Sequence, residues 1–389
     1  MHPTGKIRAA SVHKPFHIVL TTIDTPRVLY DYLDNINRSG YSSRVKIWII
    51  GDTKTPSAAG TVAEELTGRG LETEYMDMAA QEAWGKTCIN FYRRLPVNNE
   101  TRRNIGFLKA LEGGCETVIS IDDDNYPPEE SFIDGHADTG KPWRGPLIKT
   151  GSGFHNTCRY LELSPKRTVF PRGFPFRLRD ADVPSGMALA EADARIGVKA
   201  GLWTGAPDLD AVTWLNGPVE SLSYVGKSVH VLSQDTWIPL STQNLSVCRN
   251  LIPACLCVPM GHDLPGGRLE RYGDVWGGYF LQALIRDTCY HAAFGHPVTL
   301  HSRNPHDALA DLRREYWGML LTDWLTDLLR QRFAPSAPAM TDRTRELGDF
   351  LRDEATALVP DWCPPQVGAF MTLTGENLRL WADACALFL

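Results

Sequence analysis

Three adjacent carboxylates, Asp122, Asp123 and Asp124, follow directly on the apolar, β-branched run Glu116–Ile121. Side by side they repel one another, and a divalent cation relieves that repulsion. Oxygen donors of this kind suit Mg2+ or Mn2+, which grip a diphosphate at the same time and stabilise charge developing on it as it departs. A solvated acidic turn is the competing reading, since so short a motif matches freely. The position at the end of a strand favours a site, because ligands of open α/β sheets bind outside the carboxyl ends of their strands. His301 follows a second apolar run and is the candidate to complete a metal site with Asp122 and Asp124.

Other chemistry-bearing residues fall in four places. Asp52 ends a strand at Gly51-Asp52, where it can accept from a base or ribose, or simply form a turn. Arg102 and Arg103 open a helix before the acidic run, and either suits a phosphate or plain solubility. Val169–Asp180 sets Arg172, Arg177 and Arg179 among aromatics and prolines, fitting a sugar-phosphate site as well as a surface loop. Leu269–Gly278 places Arg271, Asp274 and Trp276 beside paired glycines, which allow close backbone approach to a ligand while the indole stacks on a sugar. Two decoys fail. Gly226-Lys227-Ser228 has Ser221 where a phosphate loop needs its first glycine, and Gly151-Ser152-Gly153 lacks the third glycine of a dinucleotide fingerprint.

The elements that must position these residues alternate between strand and helix. Phe16–Thr22, Val45–Ile50, Leu71–Tyr75 and Glu116–Ile121 read as strands; Thr25–Ile36, Ala58–Thr67 and Asn99–Leu111 read as helices. That alternation predicts an α/β fold with a mostly parallel sheet flanked by helices. From Asp122 to about Gly261 the pattern is irregular, with a short strand at Ser228–Leu232. Tyr279–Ala293, Asp307–Phe333 and Arg343–Leu358 carry helical spacing, and Ala334–Pro338 reads as a linker. The expected organisation is a catalytic domain over 1–304 and a C-terminal helical extension over 305–389.

Of the 389 residues, 43% are hydrophobic and 22% charged, the composition of a globular chain. A net charge of −6 excludes bulk attraction to nucleic acid or anionic membranes, so an anionic ligand needs local cations or a metal. Nine scattered cysteines without a C-x-x-C pair argue against a zinc knuckle and for a reducing compartment. Met1–Lys14 is polar, with no signal-peptide core, and no apolar run reaches membrane-spanning length. A soluble, cytoplasmic protein is expected, with room for a homo-oligomer.

Taken in order from about Ile18 to Phe333, these segments resemble the reversibly glycosylated polypeptides, the UDP-arabinopyranose mutase family best known from plants. The resemblance is carried by I-D-D-D at Ile121–Asp124, R-G-F-P-F-R-L-R at Arg172–Arg179, G-L-W…P-D-L-D-A at Gly201–Ala211, Asn244-Leu245, R-Y-G-D-V-W-G-G at Arg271–Gly278 and His301-Ser302. It implies a GT-A-like fold, a divalent metal held by Asp122, Asp124 and His301, and pyranose–furanose interconversion on an intact nucleoside-diphosphate sugar. Neither flavin nor NAD is called for. Arg172 matches an arginine associated with reversible attachment of the sugar. Because a guanidinium has a pKa above about 12, it needs a base, and Asp274 is the nominee. Asp52, Arg103, Asp123, Trp203, Asn244, Arg271 and Trp276 are the expected substrate contacts. Gly273 replaces the first of two acids usual in the family before the tryptophan, and the helical tail has no familiar counterpart. This divergent, bacterial-type pattern leaves GDP-hexose beside UDP-pentose as substrate, and a glycosyltransferase with a separate acceptor as the alternative activity.

Overall fold

β1 (Phe16–Thr21), β2 (Val45–Ile50), β3 (Thr73–Met76) and β4 (Thr117–Ile121) pair in parallel in the order β3-β2-β1-β4. The computed structural model describes residues 13–179, 185–189 (backbone only), 193–304 and 307–389. Most of Met1–Lys14, and Asp180 at the end of the arginine-rich segment, lie outside the described residues. β1, β2 and β4 are largely buried on both faces because both are covered, whereas β3 at the edge leaves Glu74 exposed. Ile18, Leu20, Ile47, Ile49, Ile119 and Ile121 pack into one cluster with helices Val28–Arg38 and Ala58–Gly68. Val19, Trp48, Ile50 and Val118 turn to the other side, where helix Arg103–Glu112 supplies Ile105, Phe107, Leu108 and Leu111. This is the α/β arrangement, a parallel sheet flanked by helices, that the alternating pattern predicts. Gly106 sets the distance: a Cβ there would meet Val19 Cγ1 at 2.2 Å, so only glycine lets that helix lie so close.

Beyond β4 the sheet, 13-stranded among the described residues, becomes mixed. Strand Asn244–Cys248 runs antiparallel to β4 and to strand Arg195–Gly205, which in turn runs parallel to Tyr290–His301. The last pairing overturns part of the expected helix Tyr279–Ala293. The helix spans Gly273–Leu284 and stops. Asp287 adopts φ +57°, and Tyr290–His301 continues as a strand whose Ala292, Ala293 and Phe294 are buried between neighbours. Tertiary pairing outweighs the local helical period here.

Helices Ala308–Arg332, Met340–Phe350 and Pro365–Ala386 close the chain. Trp317, Leu321, Leu347, Phe370 and Trp381 enter the same buried cluster as Phe107 and Trp276. None of the described helices is long and apolar enough to cross a membrane, and all nine cysteines are free thiols.

Candidate active site

Register brings the chemistry to one edge of the sheet. Thr21 pairs with Ile50 and Leu20 with Ile121, so Thr22, Gly51-Asp52 and Asp122–Asp124 emerge together. Asn244 pairs with Ile121, which puts Thr242 and Gln243 beside them. His301 aligns with Gly205 on one side and with Asn125 on the other, setting it between Asp124 and the Pro207-Asp208 turn. These segments and the Arg271–Asp274 turn line a cavity of about 380 Å³.

The three aspartates face three different partners. Asp122 accepts from Arg103, whose guanidinium is buried and also donates to Thr21 Oγ1 (3.0 Å), the Ile121 carbonyl (3.1 Å) and the Thr242 carbonyl (2.9 Å). Asp123 accepts from the Thr22 hydroxyl. Burial, reinforced by Asp122 and Asp124, pushes it up to about 6. Asp124 Oδ2 lies 3.4 Å from His301 Nε2. Burial opposes the charge on both, but their mutual attraction and hydrogen bonding hold Asp124 below and His301 above the ordinary range. His301 Nδ1 donates to the Ala206 carbonyl. A neutral imidazole therefore aims its Nε2 lone pair at a carboxylate, an opposition that a proton or a metal cation resolves.

The expected three-residue ligand set is not assembled. Among the described residues no three His, Cys, Asp or Glu side chains converge to hold a metal; Asp122 Oδ1 instead pairs with Arg103. Asp124 and His301 do fit one: an oxygen and a nitrogen donor facing each other at the cavity edge, beside two further carboxylates.

Across the cavity, Arg172 is gripped from two sides. Its Nε and Nη2 donate to Asp208 at 2.9 and 3.0 Å, and its Nη1 and Nη2 donate to Asp274 at 3.1 and 2.9 Å. The second Nη1 hydrogen goes to the Arg271 carbonyl. All five N–H donors of the guanidinium are thus used. Burial disfavours its charge, but the two carboxylates more than offset this and hold it well above the usual arginine range. Burial also works against ionised Asp274, yet Arg172, Ser241 Oγ (2.9 Å) and the Val275 N–H (2.9 Å) hold it low. Arg271 takes φ +61°, which an arginine rarely adopts. Glu315, fully buried on helix Ala308–Arg332, fixes that turn by accepting from Arg271 Nε at 3.0 Å and from the Ala211 N–H at 2.8 Å.

The reversibly glycosylated polypeptide family profile matches residues 94–360, a span that holds Arg103, the acidic run, Arg172, Asp274 and His301. The chain belongs to the reversibly glycosylated polypeptide family. It is 28% identical to UDP-arabinopyranose mutase 2 of Arabidopsis thaliana over 70% of this chain and 69% of that protein. To UDP-arabinopyranose mutase 1 of Oryza sativa subsp. japonica it is 31% identical over 41% of this chain and 39% of that one. Among solved structures it is similar to glucosyl-3-phosphoglycerate synthase from Mycobacterium tuberculosis in complex with Mn2+ and UDP-glucose. That match has 14% identity and a TM-score of 0.40, covering 80% of this chain and 79% of that one.

In this chain the cavity gathers Asp52, Arg103, Asp122, Asp123, Asp124, Arg172, Arg271, Asp274 and His301. Three expected contacts lie elsewhere. Trp276 is fully buried against Phe370 and donates its indole N–H to Thr322 at 3.0 Å, so it is core and offers no face to a sugar. The glycines after it serve packing: a Cβ at Gly277 would meet the Leu256 carbonyl at 2.1 Å, and one at Gly278 would meet Leu240 Cβ at 2.6 Å. Asn244 is buried and ties strands together through the Pro297 carbonyl (2.9 Å) and His136 (3.0 Å). Trp203 is buried on its strand, off the cavity lining. Arg177 pairs with Asp327 and Arg179 with Asp210 (2.7 Å), both outside the cavity. Asp208, Thr22, Glu315 and Arg303 were missed. Asp208 sits in the P-D-L-D-A segment right after a strand, the same positional signal that singled out the acidic triplet.

Proposed function

We propose that this chain is a nucleotide-sugar mutase that interconverts pyranose and furanose forms of a nucleoside-diphosphate sugar. A UDP-pentose comes first among substrates, because the relatives are named for UDP-arabinopyranose, and a GDP-hexose second. What carries the reading is one cavity with two unlike walls: an acidic edge with His301, and a guanidinium already locked between two carboxylates.

The diphosphate is assigned to the acidic edge. Asp124 and His301 would hold Mn2+ or Mg2+, which when bound neutralises the diphosphate as a leaving group. Asp52 has its own oxygens on the Thr53 N–H (2.7 Å) and Asn99 N–H (3.2 Å), forming a rigid acceptor for ribose or base. Arg172 is assigned to the anomeric carbon. Its guanidinium, flanked by two carboxylates, forms a group of net charge −1 that favours the positive charge arising on the sugar when the bond to phosphate breaks. Capture of that carbon by an arginine nitrogen releases one proton, which passes to Asp208 or Asp274. Ring opening and closure through another hydroxyl then precede return of the nucleotide.

The test is incubation of the purified chain with UDP-arabinopyranose or a GDP-hexose and Mn2+ without acceptor, with ring forms resolved by chromatography. A furanose product supports the mutase. Hydrolysis alone, or turnover only when an acceptor is added, replaces it with a glycosyltransferase.

A further inference from the structure

The two carboxylates on Arg172 are not equivalent. Asp274 is held by four donors: Arg172 Nη1 and Nη2, the Ser241 hydroxyl and the Val275 N–H. Among the described residues, the Asp208 side chain accepts hydrogen bonds from Arg172 alone, at Nε and Nη2. Each additional donor stabilises the ionised form and weakens the carboxylate as a base. The nitrogen's geometry points the same way. When Nη2 loses a proton, its in-plane electron pair emerges where that proton was, so the acceptor must turn aside before carbon can approach. Asp274 is pinned by Ser241 and Val275. Asp208 is tied only to the guanidinium, while its carbonyl stays anchored by the Arg172 N–H at 2.9 Å.

We propose that Asp208, rather than Asp274, takes the proton from Arg172 Nη2 during sugar capture and turns aside to admit the anomeric carbon, while Asp274 remains ionised as the counter-charge. The inference rests on the mutase reading above. The bond from the anomeric carbon to the diphosphate oxygen breaks, its electron pair leaving with the nucleoside diphosphate. The Nη2 pair forms the new bond to that carbon, the Nη2 proton resides on Asp208, and the glycosylated guanidinium keeps one positive charge opposite Asp274. Return of the nucleotide reverses each step.

The experiment compares wild type, Asp208→Asn, Asp208→Ala, Asp208→Glu and Asp274→Ala with UDP-arabinopyranose and Mn2+. Loss of a general base predicts that Asp208→Asn lowers kcat by at least ~100-fold while KM stays within about threefold. Added formate, a carboxylate small enough to replace the deleted group, raises kcat of Asp208→Ala by at least ~10-fold and leaves Asp274→Ala unchanged. Asp208→Glu, which retains a base, turns over faster than Asp208→Asn. A kcat for Asp208→Asn within about threefold of wild type overturns the proposal, as does formate rescue of Asp274→Ala. The second result decides the matter even if the Asp208 variants fail to fold. With an active wild type, these results judge the inference alone; a wild type that makes no ring isomer removes the mutase reading and the inference with it.

Discussion

The two walls of the cavity are built in opposite ways. Asp122, Asp123 and Asp124 are contiguous in the chain, yet their side chains go separately to Arg103, Thr22 and His301. The Arg172 wall draws on residues 208, 271 and 274, which converge on one guanidinium, and on Ser241, which holds Asp274 in place. Adjacency in sequence therefore gave a run of charge, and separation gave a preorganised group. Peptide geometry explains it: consecutive side chains leaving a strand end point in different directions, whereas loops from several strands can aim at one point.

The largest effect that would break this contrast is at Arg172. Arg172→Ala leaves Asp208 and Asp274 buried without their cation, so isomerisation should be lost while metal-dependent nucleotide binding persists. Removing one member of a buried charge group should also cost about 3–5 kcal/mol in a denaturant titration. If that variant turns over at the wild-type rate, the wall has no chemical role.

On the acidic wall, the members should separate by partner. Asp124→Ala is expected to abolish Mn2+-dependent binding of the nucleoside diphosphate in calorimetry. Asp122→Asn should weaken it less, because Asp122 is already engaged by Arg103. Equal losses would mean that the triplet acts as a unit.

A smaller effect sharpens the account of how the Arg172 wall is held. Glu315→Gln weakens a charged hydrogen bond to Arg271 that fixes the φ +61° turn. A stability loss of about 1.5–3 kcal/mol is expected from denaturant midpoints. No change in stability would show that the turn stands without Glu315.

The smallest effect on ligand binding belongs to Trp276. Trp276→Phe removes a buried indole hydrogen bond and some volume, so stability should fall by about 1–3 kcal/mol. Nucleotide-sugar affinity should stay within about twofold, since one lost contact outside the cavity changes no ligand interaction. A large affinity loss would restore the stacking role.

By itself the sequence determined the parallel strands β1–β4, their helices and the strand-end position of Asp122–Asp124, because apolar runs and helical spacing act over a few residues. Arg172, Asp274 and His301 were also legible, through residue type and the ordered family segments. Tertiary structure alone decided what each side chain faces. It gave Asp122 to Arg103, made Trp276 core, turned Tyr290–His301 into a strand, and brought Asp208 and Glu315 to the site from distant elements. Those outcomes depend on register and on contacts between residues far apart in the chain, which local pattern does not encode.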